Sequence, residues 1–410
     1  IVVSFVGYAS QTIAVQPGKT IKVILKEDSK MLDEVVVVGY GTQRVKDLTG
    51  AATNVKMDEI LEVPGSSIID ALSGQIAGLS VSQSDGRPGS TGSFKIRQPM
   101  SFGESSTNFN QPLIVIDDVV QVDENGEPSM TAFNMLDQSE IENMTVLKDA
   151  SATAVFGVRG ANGVILITTK RGAEGKAKIS FTTSAGVNVR TKELDFANSY
   201  QYADYYNMMK INDGEQPTFT DEQLVAFRDH TDPIMYPDIN WIDYCMNKAS
   251  FQSQHNVNIS GGTNNMRYFV STGLFTQGGM FKKLGADNNA NFDYKRYNYR
   301  ANLDFDVTKS TTLSVNIGGR VDTKRTPESG EDQNQLFRKL YWAVPFAGAG
   351  IVDGKRIVTN QEYISLNMVD GLESYYGKGF RNTTTNTLNL DMILDQKLDF
   401  VTKGLSLKLK

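Results

Sequence analysis

The sequence is short of the residues on which most enzymes and cross-linked scaffolds depend. One cysteine in 410 residues, Cys245, excludes a disulfide framework and any cysteine-built zinc site. Two histidines, His230 and His255, leave too little for a histidine-rich metal centre. Neither has a serine in a strained elbow nearby, as a hydrolase relay requires. No apolar run approaches the ~18 residues of a transmembrane helix. The longest, Val35–Val38 and Val164–Ile167, have the length of strands. A basic tract is missing too: Lys+Arg 41 against Asp+Glu 47 gives a net charge of −6. Nucleic acid is therefore not an expected partner, because binding phosphate needs clustered cations. The chain opens on IVVSFVGYAS without a leader and stops in LSLKLK, midway through an alternating strand. An internal piece of a longer protein is expected.

What is present has two textures. Residues 1–28 read as short strands, Ile1 to Tyr8, Thr12 to Val15 and Thr20 to Lys26, with a turn at Pro17-Gly18. An acidic connector, Glu27 to Glu34, leads into Val35–Val38 and Gly39-Tyr40-Gly41. Residues 42–172 mix helical stretches near Ser66–Ile76 and Ile141–Ala150 with apolar strands at Leu113–Ile116 and Gly163–Thr169. A compact α+β domain of ordinary size is expected there.

After Gly172 the pattern becomes strictly two-periodic. Ile179, Phe181, Thr183, Ala185 and Val187 share one face, opposite Lys178, Ser180, Thr182 and Ser184. Tyr297, Tyr299, Ala301, Leu303 and Phe305 oppose Arg296, Asn298, Arg300, Asn302 and Asp304. Leu388, Leu390, Met392 and Leu394 oppose Asn389, Asp391 and Asp395. Short turns at Gly261–Asn265, Thr308–Ser310 and Thr402–Gly404 alternate with long polar connections over 191–249, 279–293 and 325–380. Alternating segments with short turns at one end and long loops at the other characterise outer-membrane β-barrels. A soluble sandwich also alternates. Unbroken charged ladders, which a wet lumen would suit, and strands longer than the usual ~5–6 residues favour the barrel. About seven strands are present, too few to close.

The chemical motifs are weak. Gly39-x-Gly41 after Val35–Val38 suggests a dinucleotide loop, but the third glycine position is Arg44 and no helix pattern follows. The same segment reads as an edge strand, or as an extended strand able to add to another protein's sheet. Asp123-Glu124-Asn125-Gly126-Glu127 lacks the spacing of a calcium loop and reads as a solvated turn. Phe102 and Phe109 flank a polar loop that either contacts a ligand or fills space. His230 sits in a polar loop, and His255 lies on an outward face with Phe251, Val257 and Ile259. Asp117 and Asp118 are adjacent in an expected strand and point opposite ways. No enzyme, cofactor or metal site is expected.

The run LKDASATAVFGVRGANGVILITTKRG, from Leu147 to Gly172, closely resembles the end of the plug domain in SusC/RagA-like TonB-dependent outer-membrane transporters of Bacteroidetes-type bacteria. Leu32 to Gln43 resembles that family's Ton box region, and Asp70–Leu79 and Pro112–Asp118 match plug segments. Residues 1–28 resemble the tail of a carboxypeptidase-regulatory-like β domain. The resemblance implies that tail at 1–28, a linker and Ton box at 29–43, a plug at 44–172, and the start of a barrel at 173–410. The whole barrel would have ~22 strands. It implies an outer-membrane location, lipid around the barrel, and a periplasmic N-terminal region. It further implies import of a glycan or peptide nutrient with a SusD-like surface lipoprotein, driven by TonB with ExbB/ExbD. Asp33, Glu34, Val35, Val36, Val37 and Val38 would be the TonB-binding segment. Lys148, Asp149, Ala150, Gly157, Gly160, Asn162 and Gly163 would be structural plug residues. A non-transporting receptor or adhesin of the same architecture is the alternative.

Overall fold

The structure, a computed structural model, describes residues 68–96 (except 75, 77 and 83–85), 111–359 (except 193, 285–290 and 329–332) and 368–410 (except 374–375). Short strands within residues 2–56 are also described. Asp33, Glu34, Phe102, Phe109 and the expected Thr20–Lys26 strand lie outside the described residues.

Near the start, β1 (Val2–Phe5) and β2 (Tyr8–Thr12) pair as a hairpin where one strand over Ile1–Tyr8 was expected. A second hairpin joins β3 (Val35–Val38) to β4 (Gly41–Arg44).

The next domain contains β5 (Ala52–Lys56), α1 (Ile68–Ala71), β6 (Ser80–Ser82), β7 (Ser93–Lys95), β8 (Leu113–Ile116), β9 (Val119–Gln121), α2 (Thr131–Met135), β10 (Ile141–Leu147), α3 (Ala150–Thr153) and β11 (Val164–Thr169). Five strands form one mixed sheet in the order β5-β10-β11-β8-β9, with β11 parallel to β8. The sheet is apolar on both faces. Ile114, Ile116, Met144, Val146, Ile165 and Ile167 enter one core; Leu113, Val115, Leu147, Val164 and Leu166 enter the other.

Burial on both faces explains two corrections. The helix expected over Ile141–Ala150 is the strand β10, and helix begins only at Ala150. A strand covered on both sides loses the alternation that marks one covered on a single side. Asp117 and Asp118 do not lie in a strand. They form a two-residue turn between β8 and β9, with φ of 47° and 66°, the left-handed conformation that tight hairpins require.

Past Gly172 the chain builds a wall. β12 (Gly175–Val189), α4 (Ser199–Asn212), α5 (Asp221–Asp229), α6 (Trp241–Cys245), β13 (Ala249–Thr263), β14 (Met266–Gly278), β15 (Asp293–Thr308), β16 (Thr311–Pro327), α7 (Gln333–Trp342), β17 (Gly350–Val352), β18 (Lys355–Ile357), β19 (Phe380–Lys397) and β20 (Ser406–Leu409) follow in order. Seven of the strands form an open antiparallel meander, β12-β13-β14-β15-β16-β19-β20. At one end the connections are tight: Thr263 pairs directly with Met266, and Thr308 with Thr311.

At the other end the long connections, polar in sequence, fold into a layer of their own. Asn198 and Thr220 cap α4 and α5 in reciprocal boxes with Gln201 and Gln223. These are helix-start patterns readable in the sequence. Trp241, Phe281, Phe292, Leu336 and Leu340 make one core of this layer; Phe219, Phe227 and Phe346 centre another.

Candidate functional site: the seam between plug and wall

The mixed sheet's domain packs against the polar face of the wall. On β15, Arg296 (3% exposed), Asn298 (2%) and Asn302 (1%) are buried, whereas Tyr297 (47%) and Tyr299 (39%) between them are exposed. The charged ladder expected to line a lumen is here buried against the inner domain.

The centre of its counterpart is one short turn. Asp137 caps the 3₁₀ turn Gln138–Glu140, accepting from the Ser139 N–H at 3.0 Å, while Glu140 Oε2 accepts from the Asp137 N–H. Locked in this way, both carboxylates face the wall. Asp137 accepts from Arg296 Nη2 at 2.9 Å, Gln254 Nε2 at 3.1 Å and Asn256 Nδ2 at 3.1 Å. Glu140 Oε2 accepts from Arg300 Nε at 2.9 Å. Burial pushes the Glu140 carboxyl above its ordinary range, and the Arg300 charge opposes that rise.

The row continues along β15. Asn298 Nδ2 donates to the Met135 carbonyl at 2.6 Å, and Asn302 Nδ2 donates to Thr169 Oγ1 and the Lys170 carbonyl, both at 2.8 Å. Arg171 binds Asp304 at 2.7 Å and lies 3.6 Å from Asp117, which also accepts from the Thr169 N–H and hydroxyl. From β16, Arg320 donates to the Asn134 carbonyl. Gly172, where the chain crosses to the wall, lies so close to the Tyr268 backbone that a Cβ would sit 2.4 Å from it.

Such a seam holds position more than it adds stability. Buried pairs recover little beyond their desolvation cost, but removing one partner strands a charge. The sequence reading missed Asp137 and Glu140. Their signal was available as a D-x-x-E cap directly before an apolar strand.

Above the seam, at the long-loop end, a cavity of about 730 Å³ lies among Arg87, Gln252, Gln277, Asn240, Phe337 and Tyr341. Arg87 reaches from the inner domain to α7, donating to Asn334 Oδ1 at 3.0 Å.

The other residues singled out in the sequence fall as follows. Val35–Val38 pair with Gly41–Arg44. Lys148 Nζ donates to Thr53 Oγ1 at 2.9 Å, tying β10 to β5. Asp149 is the N-cap of α3, and Ala150 is its first residue. Gly157 has φ +63°, while Gly160 and Gly163 are packed so that a Cβ would clash with Thr153 and Ile96; Asn162 is half-buried beside them. His255 Nδ1 meets Thr183 Oγ1 at 2.7 Å across two strands, and His230 ends α5 with φ 51°. Asp123 Oδ1 accepts from the Asn125 and Glu127 N–H groups, an ordinary polar turn. Among the described residues no three acidic, histidine or cysteine side chains group as a metal site.

Residues 44–164 match the family described as TonB-dependent Receptor Plug Domain. The chain is 34% identical over 354 residues to TonB-dependent receptor SusC of Bacteroides thetaiotaomicron, covering 83% of this chain and 33% of that protein. The chain belongs to the SusC/RagA-like TonB-dependent receptors. It is also 35% identical over 311 residues to TonB-dependent receptor P26 of Formosa agariphila, covering 74% of this chain and 28% of that one. Among solved structures, the RagAB peptide importer in its open-open state superposes with a TM-score of 0.67 at 22% identity. That match covers 92% of this chain and 41% of the other, and shows a shared fold. The chain thus spans about a third of the length of its curated relatives. Those relatives are TonB-dependent receptors, not enzymes, and the family consists of outer-membrane β-barrel proteins. In this family's terms the inner α+β domain is the plug, and the meander is barrel wall.

Proposed function

We propose that this chain is the plug and first wall strands of an outer-membrane importer. It would take up a nutrient too large for porins, an oligosaccharide or an oligopeptide, using force from TonB with ExbB/ExbD. A SusD-like lipoprotein would serve as its surface partner. The division at 1–28, 29–43, 44–172 and 173–410 belongs to this reading, with residues before the plug in the periplasm. The observation that carries it is the seam. A plug held by a few directional polar contacts, inside a wall whose outer face is apolar, can be displaced by a pull on one extended segment without unfolding the wall.

Asp33–Val38 is the segment proposed to receive that pull, its backbone adding as a strand to the partner's sheet. The placement of β3 in a hairpin fits a strand that needs only backbone pairing. The cavity above the seam is proposed as the cargo's first contact with the plug, together with Phe102 and Phe109. Its amides, aromatic rings and charged side chains of both signs suit a polar chain.

The test uses the full-length protein in its own outer membrane. Deleting Asp33–Val38, or substituting Val36→Pro, should abolish accumulation of labelled oligosaccharide or oligopeptide. Surface level and cargo binding should stay unchanged. Accumulation unaffected by the deletion would overturn the reading. Binding without accumulation in the unaltered protein would favour a non-transporting receptor.

A further inference from the structure

The segment Gly86–Ser90 of the plug touches both the wall and the loop layer. Pro88 and Gly89 occupy the two central positions of a turn that the Ser90 N–H closes on the Arg87 carbonyl at 3.0 Å. Proline fixes one φ of the turn and glycine supplies the other, +67°. Gly86, Arg87 and Pro88 line the cavity of about 730 Å³ and form the plug's share of it. Arg87 reaches α7, donating to Asn334 Oδ1 and lying 5.9 Å from the centre of the Phe337 ring. The Gly89 N–H donates to Gln277 Oε1 at 3.3 Å.

Gly89 also rests on one wall side chain. A Cβ there would lie 2.3 Å from the Tyr294 ring, so a larger residue has to move the tyrosine. Tyr294 is buried and packs near Phe275, with 6.1 Å between ring centres. Its hydroxyl donates to Asp322 and accepts from Arg320 Nη2 at 2.5 Å. Arg320 Nε is fixed on Asp322 at 2.6 Å, and Nη1 donates to the Asn134 carbonyl. Asn134 stands just before Asp137, the cap of the seam turn. One wall tyrosine therefore meets the cavity's plug side with its ring and, through a single arginine, the seam with its hydroxyl. The two plug segments, 86–90 and 134–140, are far apart in sequence and share this side chain.

We propose that Tyr294 is a positioning residue that couples the plug side of the cavity to the seam. Its ring and its hydroxyl are both held, so a shift of the 86–90 turn displaces the anchor of Arg320, and release of the seam turn loosens 86–90. The element with two arrangements is the plug itself, seated or displaced. A cavity bounded partly by the plug is complete only while the plug is seated. A pull that breaks the seam therefore opens the cavity under whatever it holds. The inference rests on the proposed import only for what fills the cavity.

The test needs no cargo. It reads hydrogen exchange at the Ser139 and Glu140 amides, both bonded to Asp137, in the full-length protein in detergent. The variants form a double-mutant cycle of Gly89→Ala and Tyr294→Phe. Gly89→Ala drives a methyl group into the ring and should speed exchange of both amides about tenfold. Tyr294→Phe keeps the ring on Gly89 and removes only the hydroxyl. It should speed exchange by itself, and adding Gly89→Ala to it should change nothing further. Gly86→Ala is the control: it strains a comparable φ, +75°, but its Cβ would meet nothing within 4 Å among the described residues. It should leave both amides as they were. Should Gly89→Ala fail to fold, Arg320→Gln, which adds no bulk, reads the coupling in reverse. It should speed exchange of the Gly89 and Ser90 amides in the unaltered background and not in the Tyr294→Phe background. An unchanged seam in Gly89→Ala, equal effects from the two glycine variants, or an effect that persists undiminished in Tyr294→Phe overturns the inference. A coupled cycle in a protein whose uptake survives deletion of Asp33–Val38 keeps the coupling and removes the import reading. Uptake lost on that deletion with an uncoupled cycle does the reverse.

Discussion

Strands β11 and β15 solve opposite problems with the same backbone. In β11, Val164, Ile165, Leu166 and Ile167 are all at most 4% exposed, as in any soluble core. In β15 from Arg296 to Asp304 the buried side chains are arginine, asparagine and aspartate, and the rings of Tyr297 and Tyr299 face out. The plug buries its apolar side chains as a soluble core does; the wall turns apolar side chains outward and polar ones toward the plug. The difference explains why the contact between them is polar. An apolar seam would weld the two together, while a directional one fixes position and yields once a few contacts are broken.

The comparison breaks most visibly at Asp137. Replacing it with alanine removes the buried carboxylate that Arg296, Gln254 and Asn256 share and should cost about 3–5 kcal/mol of plug docking. Hydrogen exchange of plug amides in the full-length protein measures this. The paired change Asp137→Leu, Arg296→Met should recover most of the loss, and an undisturbed single variant would mean the seam is wet. Next is the outer face. Leu390, 54% exposed on β19, should cost up to about 2–4 kcal/mol as arginine if the outer face meets lipid, the upper value belonging to the bilayer midplane. Reversible folding into lipid vesicles reads that cost, and a wall facing water would not notice it.

At the crossing point, Gly172→Ala must push its Cβ into the backbones of Tyr268 and Gly261. It should cost about 1–3 kcal/mol in the same exchange experiment. A gentler lever is pH. The Glu140 carboxyl is raised by burial, so its contribution is complete below the ordinary carboxyl value and is lost as pH rises through the raised one. Plug docking should therefore weaken over that interval, and Glu140→Gln should flatten the slope. Least of all, Lys408→Ala at the exposed pair with Asp118 should cost under about 1 kcal/mol, since solvent screens such pairs.

Much of this was legible beforehand, and unevenly so. The wall was readable because one face of each strand meets a different medium from the other, which writes a period of two into residues such as Tyr297 to Phe305. The plug sheet was harder. β10 is covered on both sides over Met144–Leu147, and a stretch without strict alternation reads equally as helix. Asp117-Asp118 was misread because two positive φ values favour Asn or Gly, and an aspartate pair gives no such signal. The seam was half-visible. Its wall side stood out as a charged ladder, but its plug side centres on a capped turn whose partners lie more than a hundred residues away. Contacts at that separation come from topology and leave no local pattern.

The most direct test of the inside-out wall is depth-resolved quenching in the full-length protein. Single fluorescent labels would be placed at successive positions of β19, Leu388 to Met392, in a bilayer carrying quenchers on the acyl chains. Labels at 388, 390 and 392 should be quenched and those at 389 and 391 spared, a strict alternation. Uniform quenching, or none, would contradict it.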